Sequence, residues 1–129
     1  MAAYDKCCEI DYSNAFSKKA LKAYERVLHG GLPELRQHKL VESGYVVATL
    51  EAARWCVLTE STYEDTAVAA VRLGYDTDTI AAIAGSMSGI LYGREAIPQK
   101  WMSDLLQKES INALCDYLRI IGRNKLKGA

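Results

Sequence analysis

Apolar residues recur along most of the chain with the period of about 3.6 residues that an α-helix imposes. Between positions 17 and 29 they share one face, and lysines occupy the other. Glycine and proline separate such segments, since glycine accepts a left-handed helix cap and proline cannot continue a helix. No segment shows the strict apolar–polar alternation of a half-buried strand. The sequence therefore predicts an all-α fold, with residues 1–129 forming one domain.

The predicted helices cover residues 17–29, 45–58, 61–74, 76–92 and 110–121, with a further short helix after Pro98. Residues 45–58 contain few polar side chains, so this helix is predicted to be central. Ser61 and Glu64 have the spacing of a capping box at a helix start, and Gly74 is the predicted C-terminal cap. The last helix is predicted to end before Gly122.

Charge and cysteine usage exclude several classes of protein. Sixteen basic and sixteen acidic side chains give a net charge of zero, so neither nucleic acid nor a membrane is a predicted partner. The first fourteen residues lack the apolar centre of a signal peptide, and the uncharged stretch 80–93 is too short to span a bilayer. None of the four cysteines has zinc-ligand or CxxC spacing. These features predict a protein of the reducing cytoplasm.

Two carboxylates and a hydroxyl stand together where a loop turns into a helix, at Asp76, Asp78 and Thr79. Mg²⁺ prefers carboxylate and other oxygen ligands, so the three side chains are candidate metal ligands. The alternative is purely structural. Asp and Thr are favoured N-caps, and negative charge at a helix start is stabilised by the helix dipole. The spacing alone leaves both interpretations open.

Small residues recur every four positions in the following helix, at Ala81, Gly85, Gly89 and Gly93. Glycine inside a helix costs roughly 1 kcal/mol relative to alanine, so this pattern indicates a close approach by the backbone of a neighbouring element. Its predicted effect is to hold the helix rigidly, and with it the aspartates at the helix start.

One acidic residue, Glu51, lies among apolar neighbours in the predicted central helix. A carboxylate there is either catalytic or, more commonly, caps a helix, pairs with a base such as Arg54, or reaches solvent. The non-catalytic interpretations are favoured over catalysis.

Four motifs occur in order within residues 44–101, and together they resemble the ADP-ribosylglycohydrolase family. Residues 44–55 read GYVVATLEAARW, residues 61–70 STYEDTAVAA and residues 73–85 LGYDTDTIAAIAG. The fourth motif is SGILYG at 88–93, followed by Ile97, Pro98 and Trp101. The similarity corresponds to the C-terminal part of the family's sequence.

This resemblance implies an all-α enzyme that uses two Mg²⁺ ions to release ADP-ribose from a modified protein or another acceptor. It assigns Asp76, Asp78 and Thr79 as metal ligands. The family's other ligands, a Thr-Asp-Asp run, and its catalytic glutamate lie far upstream of this motif, and neither is found here. We therefore expect half of a magnesium site and assign no catalytic residue.

Three possibilities follow from the resemblance. The first is hydrolysis completed by a missing N-terminal half or by a partner. The second is an inactive relative that serves as a partner-binding, nucleotide-binding or regulatory module. The third is a structural remnant that binds no ligand. In each case, a helical domain that lacks half its fold should leave apolar faces uncovered. The sequence thus predicts self-association or a complementing polypeptide, at the faces of 46–57 or 81–93.

Overall fold

The protein is described by a computed structural model covering residues 17–29, 31–37, 40, 45–74 and 76–127. These residues form seven α-helices and a short 3₁₀ helix, Arg94–Ala96, and contain no β-strand. The helices are α1 (Lys18–Ala23), α2 (Glu25–His29), α3 (Val46–Thr59), α4 (Tyr63–Arg72), α5 (Thr77–Tyr92), α6 (Gln99–Asp104) and α7 (Lys108–Lys127). The all-α prediction is confirmed.

The chain divides into two compact units, Met1–Ala96 and Ile97–Ala129. In the first unit α3, α4 and α5 pack against one another, and α2 packs on α3. The core of this unit consists of Leu40, Ala52, Ala53, Cys56, Ala70, Leu73, Ile80 and Ala84. Because half of these side chains are alanines, the helices approach closely. Seven residues of α3 are buried, more than in any other described helix, as its predicted central position requires.

The start of α4 is capped by Thr62, one residue later than predicted. The Asp65 amide donates a hydrogen bond of 3.0 Å to the Thr62 hydroxyl, which in turn donates one of 2.7 Å to the Asp65 carboxylate. The predicted Ser61–Glu64 capping box is therefore wrong. Ser61 and Thr62 are both good caps, and each is followed three residues later by an acid, so local sequence does not decide between the two registers.

The second unit contains α6 and α7. Helix α7 runs from Lys108 to Lys127, so the predicted stop before Gly122 is wrong. A glycine inside a helix costs only about 1 kcal/mol, and the arginine and lysine residues that follow are good helix formers. None of the described helices has the length and apolar composition needed to cross a membrane.

The N-terminal segment predicted as one helix is broken at Tyr24, where α1 ends and α2 begins. Two arginines connect this segment to α3. Arg26 donates a hydrogen bond to the Glu51 carboxylate, and Arg54 donates one to the carbonyl oxygen of Val27. These bonds fix α2 against the central helix.

Two cysteines provide a direct test of the core. Cys56 is fully buried, and Cys115 is exposed on α7. Burial, reinforced by the negative charge of Glu60, raises the pKa of the Cys56 thiol to about 11. Since the thiolate is the reactive form, iodoacetamide at neutral pH should modify Cys115 and leave Cys56 unmodified until the protein unfolds.

This expectation is checked by timed alkylation with and without urea, read for each cysteine by peptide mass spectrometry. Modification of Cys56 in the native protein at the rate seen for Cys115 would contradict the described core.

Candidate metal site at the start of α5

The three predicted metal ligands lie where the chain turns from α4 into α5. Helix α4 ends at Arg72, and Gly74 follows with a φ of +86°, the left-handed conformation that favours glycine. Asp76 has φ −79° and ψ 55°, which is neither helical nor extended, and α5 begins at Thr77. The side chain of Asp76 therefore does not follow the helical spacing of the residues after it.

The carboxylate of Asp76 does not cap α5. It makes no capping hydrogen bond to the helix and instead accepts one of 2.8 Å from the Thr79 hydroxyl. Two of the three predicted ligands are thus in contact. The hydroxyl proton of Thr79 points to Asp76, so the lone pairs of the Thr79 oxygen can still face a cation. The capping alternative does not describe this side chain, and the assignment of a metal stays a prediction.

Asp78 lies in the first turn of α5 and is exposed, as is Thr79. Asp76 is half-buried. All three offer oxygen atoms, the ligand type that Mg²⁺ prefers, and a near-octahedral ion would need further oxygens from water or other groups. Among the residues that the structure describes, no three His, Cys, Asp or Glu side chains are grouped to hold a metal. The structure thus brings Asp76 and Thr79 into contact, and the assignment of all three residues to a magnesium ion stays a prediction.

The core holds the start of α5 in place. Ile80 follows Thr79 directly, belongs to the buried core and donates its backbone N–H to the carbonyl oxygen of Asp76 at 3.0 Å. The first turn of α5 is thereby closed by a residue that the core fixes. Position and orientation of the Asp76–Thr79 pair thus depend on packing behind it.

The glycines of α5 accommodate an aromatic side chain. A Cβ added at Gly85 would lie 3.3 Å from the hydroxyl oxygen of Tyr63, and one at Gly89 would lie 4.0 Å from the Tyr63 ring. Gly93 has no such neighbour within 4 Å and ends the helix with a φ of +79°. The predicted close approach therefore occurs at Gly85. The group that approaches is the side chain of Tyr63 on α4, whereas a backbone was expected.

Glu51 is 4% exposed and takes part in an ion pair with Arg26 at 2.6 Å. The predicted partner Arg54 was therefore wrong, since its guanidinium bonds the carbonyl oxygen of Val27. Glu51 is therefore paired with a base, but that base is Arg26, which lies 25 residues away in sequence. Its role in the described structure is to join α2 to α3.

One face of α5 is exposed and uncharged. Thr79, Ala82, Ser86 and Ile90 follow one another at helical spacing, and all four are exposed. Asp78 is the only charged residue of the whole helix. Helix faces in contact with water usually carry charged side chains, and an uncharged exposed face is typical of an interaction surface. This face begins at the candidate metal site.

Comparison with known proteins agrees with the four motifs. The family model described as ADP-ribosylglycohydrolase matches residues 2–127, a wider span than the motifs themselves. The chain is 38% identical over 107 residues to the ADP-ribosylarginine hydrolase Tri1 of Serratia proteamaculans, covering 81% of this chain and 29% of that protein. A protein of the same name from Pseudomonas putida is 32% identical over 101 residues, covering 78% of this chain and 27% of its own length.

A third relative is the ADP-ribosyl-[dinitrogen reductase] glycohydrolase of Rhodospirillum rubrum. It is 32% identical over 71 residues, which cover 55% of this chain and 24% of the relative. No solved structure matches the chain. The chain therefore spans less than a third of the length of each of these relatives.

Proposed function

The chain belongs to the ADP-ribosylglycohydrolase family, and from this premise we propose that it contributes half of a magnesium site to the hydrolysis of ADP-ribose from a modified protein. The observation that carries the proposal is the Asp76–Thr79 pair. The carboxylate of Asp76 does not cap the helix, and the hydroxyl of Thr79 donates a hydrogen bond of 2.8 Å to it. A side chain that only finished the first turn of α5 would bond a backbone amide.

In this proposal, Asp76 and Asp78 supply negative charge to the cation and Thr79 supplies a neutral oxygen. A bound Mg²⁺ acts as a Lewis acid and as a template that orients substrate oxygens and water. The contribution of the chain is to hold the three donors at a fixed turn, exposed on one side and backed by Ile80 on the other.

The remaining ligands and the catalytic glutamate come from outside this sequence in our proposal. Thr-Asp-Asp does not occur in the chain, and the chain spans 29% of the length of its relative from Serratia proteamaculans. The uncharged face of α5 gives the complementing polypeptide a surface that leads directly to Asp76 and Thr79. Ile90, on that face, is 86% exposed.

We propose that the substrate carries ADP-ribose linked to arginine. We also propose that the protein acts in the cytoplasm. Two of the relatives are named ADP-ribosylarginine hydrolases. Protein modified on arginine is therefore the primary substrate of the assay, and protein modified on serine is the comparison.

The proposal is tested by calorimetric titration of the chain with Mg²⁺. We expect weak binding by the wild-type chain and its loss in Asp76→Asn and Asp78→Asn, since each change removes a charged ligand. Asp104→Asn is the control, because Asp104 is an exposed aspartate of α6. Binding that both site variants retain would contradict the site.

Catalysis is tested by release of ADP-ribose in the presence of Mg²⁺. We expect turnover only when a polypeptide carrying the Thr-Asp-Asp run and the catalytic glutamate is added, and loss of that turnover in Asp76→Asn. Turnover by the chain alone that Asp76→Asn retains would contradict the proposed role.

An inactive relative that binds a partner or a nucleotide is the second candidate function. The exposed, uncharged face of α5, on which a partner could pack, favours it. This function predicts that the chain binds ADP-ribose or the added polypeptide. It also predicts that no ADP-ribose is released in the same assay, with or without the added polypeptide.

A further inference from the structure

A cavity of about 180 Å³ lies in the first unit, between the end of α3, one side of α4 and the segment 31–37. Its walls include Trp55, Glu60, Asp65, Val68, Ala69 and Arg72. One water occupies about 30 Å³ in the liquid, and pockets for drug-sized ligands start near 300 Å³. The cavity is therefore of the size that suits a single amino acid.

Charges of opposite sign lie at the two ends of this cavity. Glu60 and Asp65 flank the start of α4, and Arg72 is its last residue. Asp65 and Arg72 are two helical turns apart, which is about 10 Å along the axis. No described residue forms an ion pair with Glu60 or Arg72. A separation of this size prevents the two ends from neutralising each other directly.

The middle of the cavity is apolar. Val68 and Ala69 lie between the charged ends on α4, and the indole of Trp55 forms the opposite wall. The indole N–H donates a hydrogen bond of 2.9 Å to the carbonyl oxygen of Leu35, so its only polar atom is used and the ring is fixed. The remaining aromatic surface attracts a cation and packs against methylene groups.

We propose that this cavity binds a basic amino acid of the arginine class. Its cationic group lies between Glu60 and Asp65, its aliphatic stem against Trp55, and its carboxylate at Arg72. Two carboxylates and one guanidinium give the walls a net charge that complements a ligand of net positive charge. The inference goes beyond the proposed hydrolysis, since none of the three metal-site residues lines the cavity.

Ligand analogues test the two ends separately in the intact chain. L-arginine is titrated by calorimetry beside citrulline, in which a neutral urea replaces the guanidinium, and agmatine, which lacks the carboxylate. We expect each analogue to bind at least roughly tenfold more weakly, because each leaves one charged wall without its partner. No binding of L-arginine, or equal binding of citrulline, would overturn the proposal.

Two sources share this ligand chemistry, the free amino acid and the C-terminal residue of a peptide. Nα-acetylarginine separates them, because it keeps the side chain and the carboxylate and lacks the free ammonium group. Binding equal to that of L-arginine supports a peptide C-terminus, and weaker binding supports the free amino acid.

Substitutions supply the second measurement. Glu60→Gln and Arg72→Gln should each weaken L-arginine binding roughly tenfold, while Glu64→Gln should leave it unchanged. Glu64 is an exposed carboxylate on α4 that does not line the cavity, which makes it the matched control. Unchanged affinity in both cavity variants would refute the site. Asp76→Asn should retain arginine binding, so failure here is distinguishable from failure of the metal site.

Discussion

Replacement of Ile80 by alanine is expected to lower the free energy of unfolding by about 2–4 kcal/mol, the usual cost of truncating a buried isoleucine. Ile80 is 7% exposed and belongs to the core that α3, α4 and α5 share. Truncation leaves a void that alanine-rich neighbours cannot fill, since small side chains have little freedom to move into it. Urea denaturation followed by circular dichroism measures the change.

Helix α5 provides a control with the same chemistry. Ile90 is 86% exposed, so Ile90→Ala should change the unfolding free energy by no more than about 0.5 kcal/mol. Equal destabilisation by the two substitutions would show that the core does not include the start of α5. Ile80→Ala should also weaken Mg²⁺ binding, because the Ile80 side chain packs the turn that carries Asp76 onto the core, whereas Ile90→Ala should not.

Sequence signals at both ends of α5 explain why its boundaries could be predicted. The predicted span was 76–92, and the helix covers Thr77–Tyr92. Aspartate and threonine are frequent at helix starts, so they mark the boundary although the Asp76 side chain makes no capping bond. Gly93 adopts the positive φ that the end requires. The central position of α3 was also predictable, because most of its side chains are apolar.

Competition between equivalent local signals limited the prediction elsewhere. Ser61 and Thr62 are adjacent cap residues of similar strength, and the cap of α4 is Thr62. Gly122 resembles a helix stop, yet the residues on both sides favour helix strongly enough to continue it. The base that pairs with Glu51 lies 25 residues away, and no local pattern identifies it.

The candidate metal site could be predicted because its three residues are neighbours in sequence, which makes them visible as a motif. The hydrogen bond between Asp76 and Thr79 depends on the unusual ψ of 55° at Asp76, a backbone property that composition does not reveal. The cavity was missed because its walls come from three segments. Its only sequence signal is the seven-residue spacing of Asp65 and Arg72, which places both on one face of α4.

Loss of the Arg26 guanidinium is expected to have the second large effect on stability. Arg26→Ala leaves the carboxylate of Glu51, which is 4% exposed, without its cation. Breaking a buried ion pair costs about 3–5 kcal/mol, but the Arg26 side chain is 48% exposed and solvent screens the interaction. We therefore expect a loss of about 1–3 kcal/mol in unfolding free energy, measured by urea denaturation.

The expected loss of stability comes from the Glu51 carboxylate that is left buried without a cation. A double-mutant cycle measures this contribution separately. Glu51→Gln keeps the shape of the side chain and removes its charge, so Arg26→Ala should cost less in that background than in the wild type. Arg36→Ala is the matched control, because Arg36 is exposed and forms no ion pair with a described residue. It should change stability by no more than about 0.5 kcal/mol. If Arg26→Ala costs no more than Arg36→Ala, then the pair does not join α2 to α3. The N-terminal segment would in that case be held by apolar contacts alone, such as that of the buried side chain of Val27.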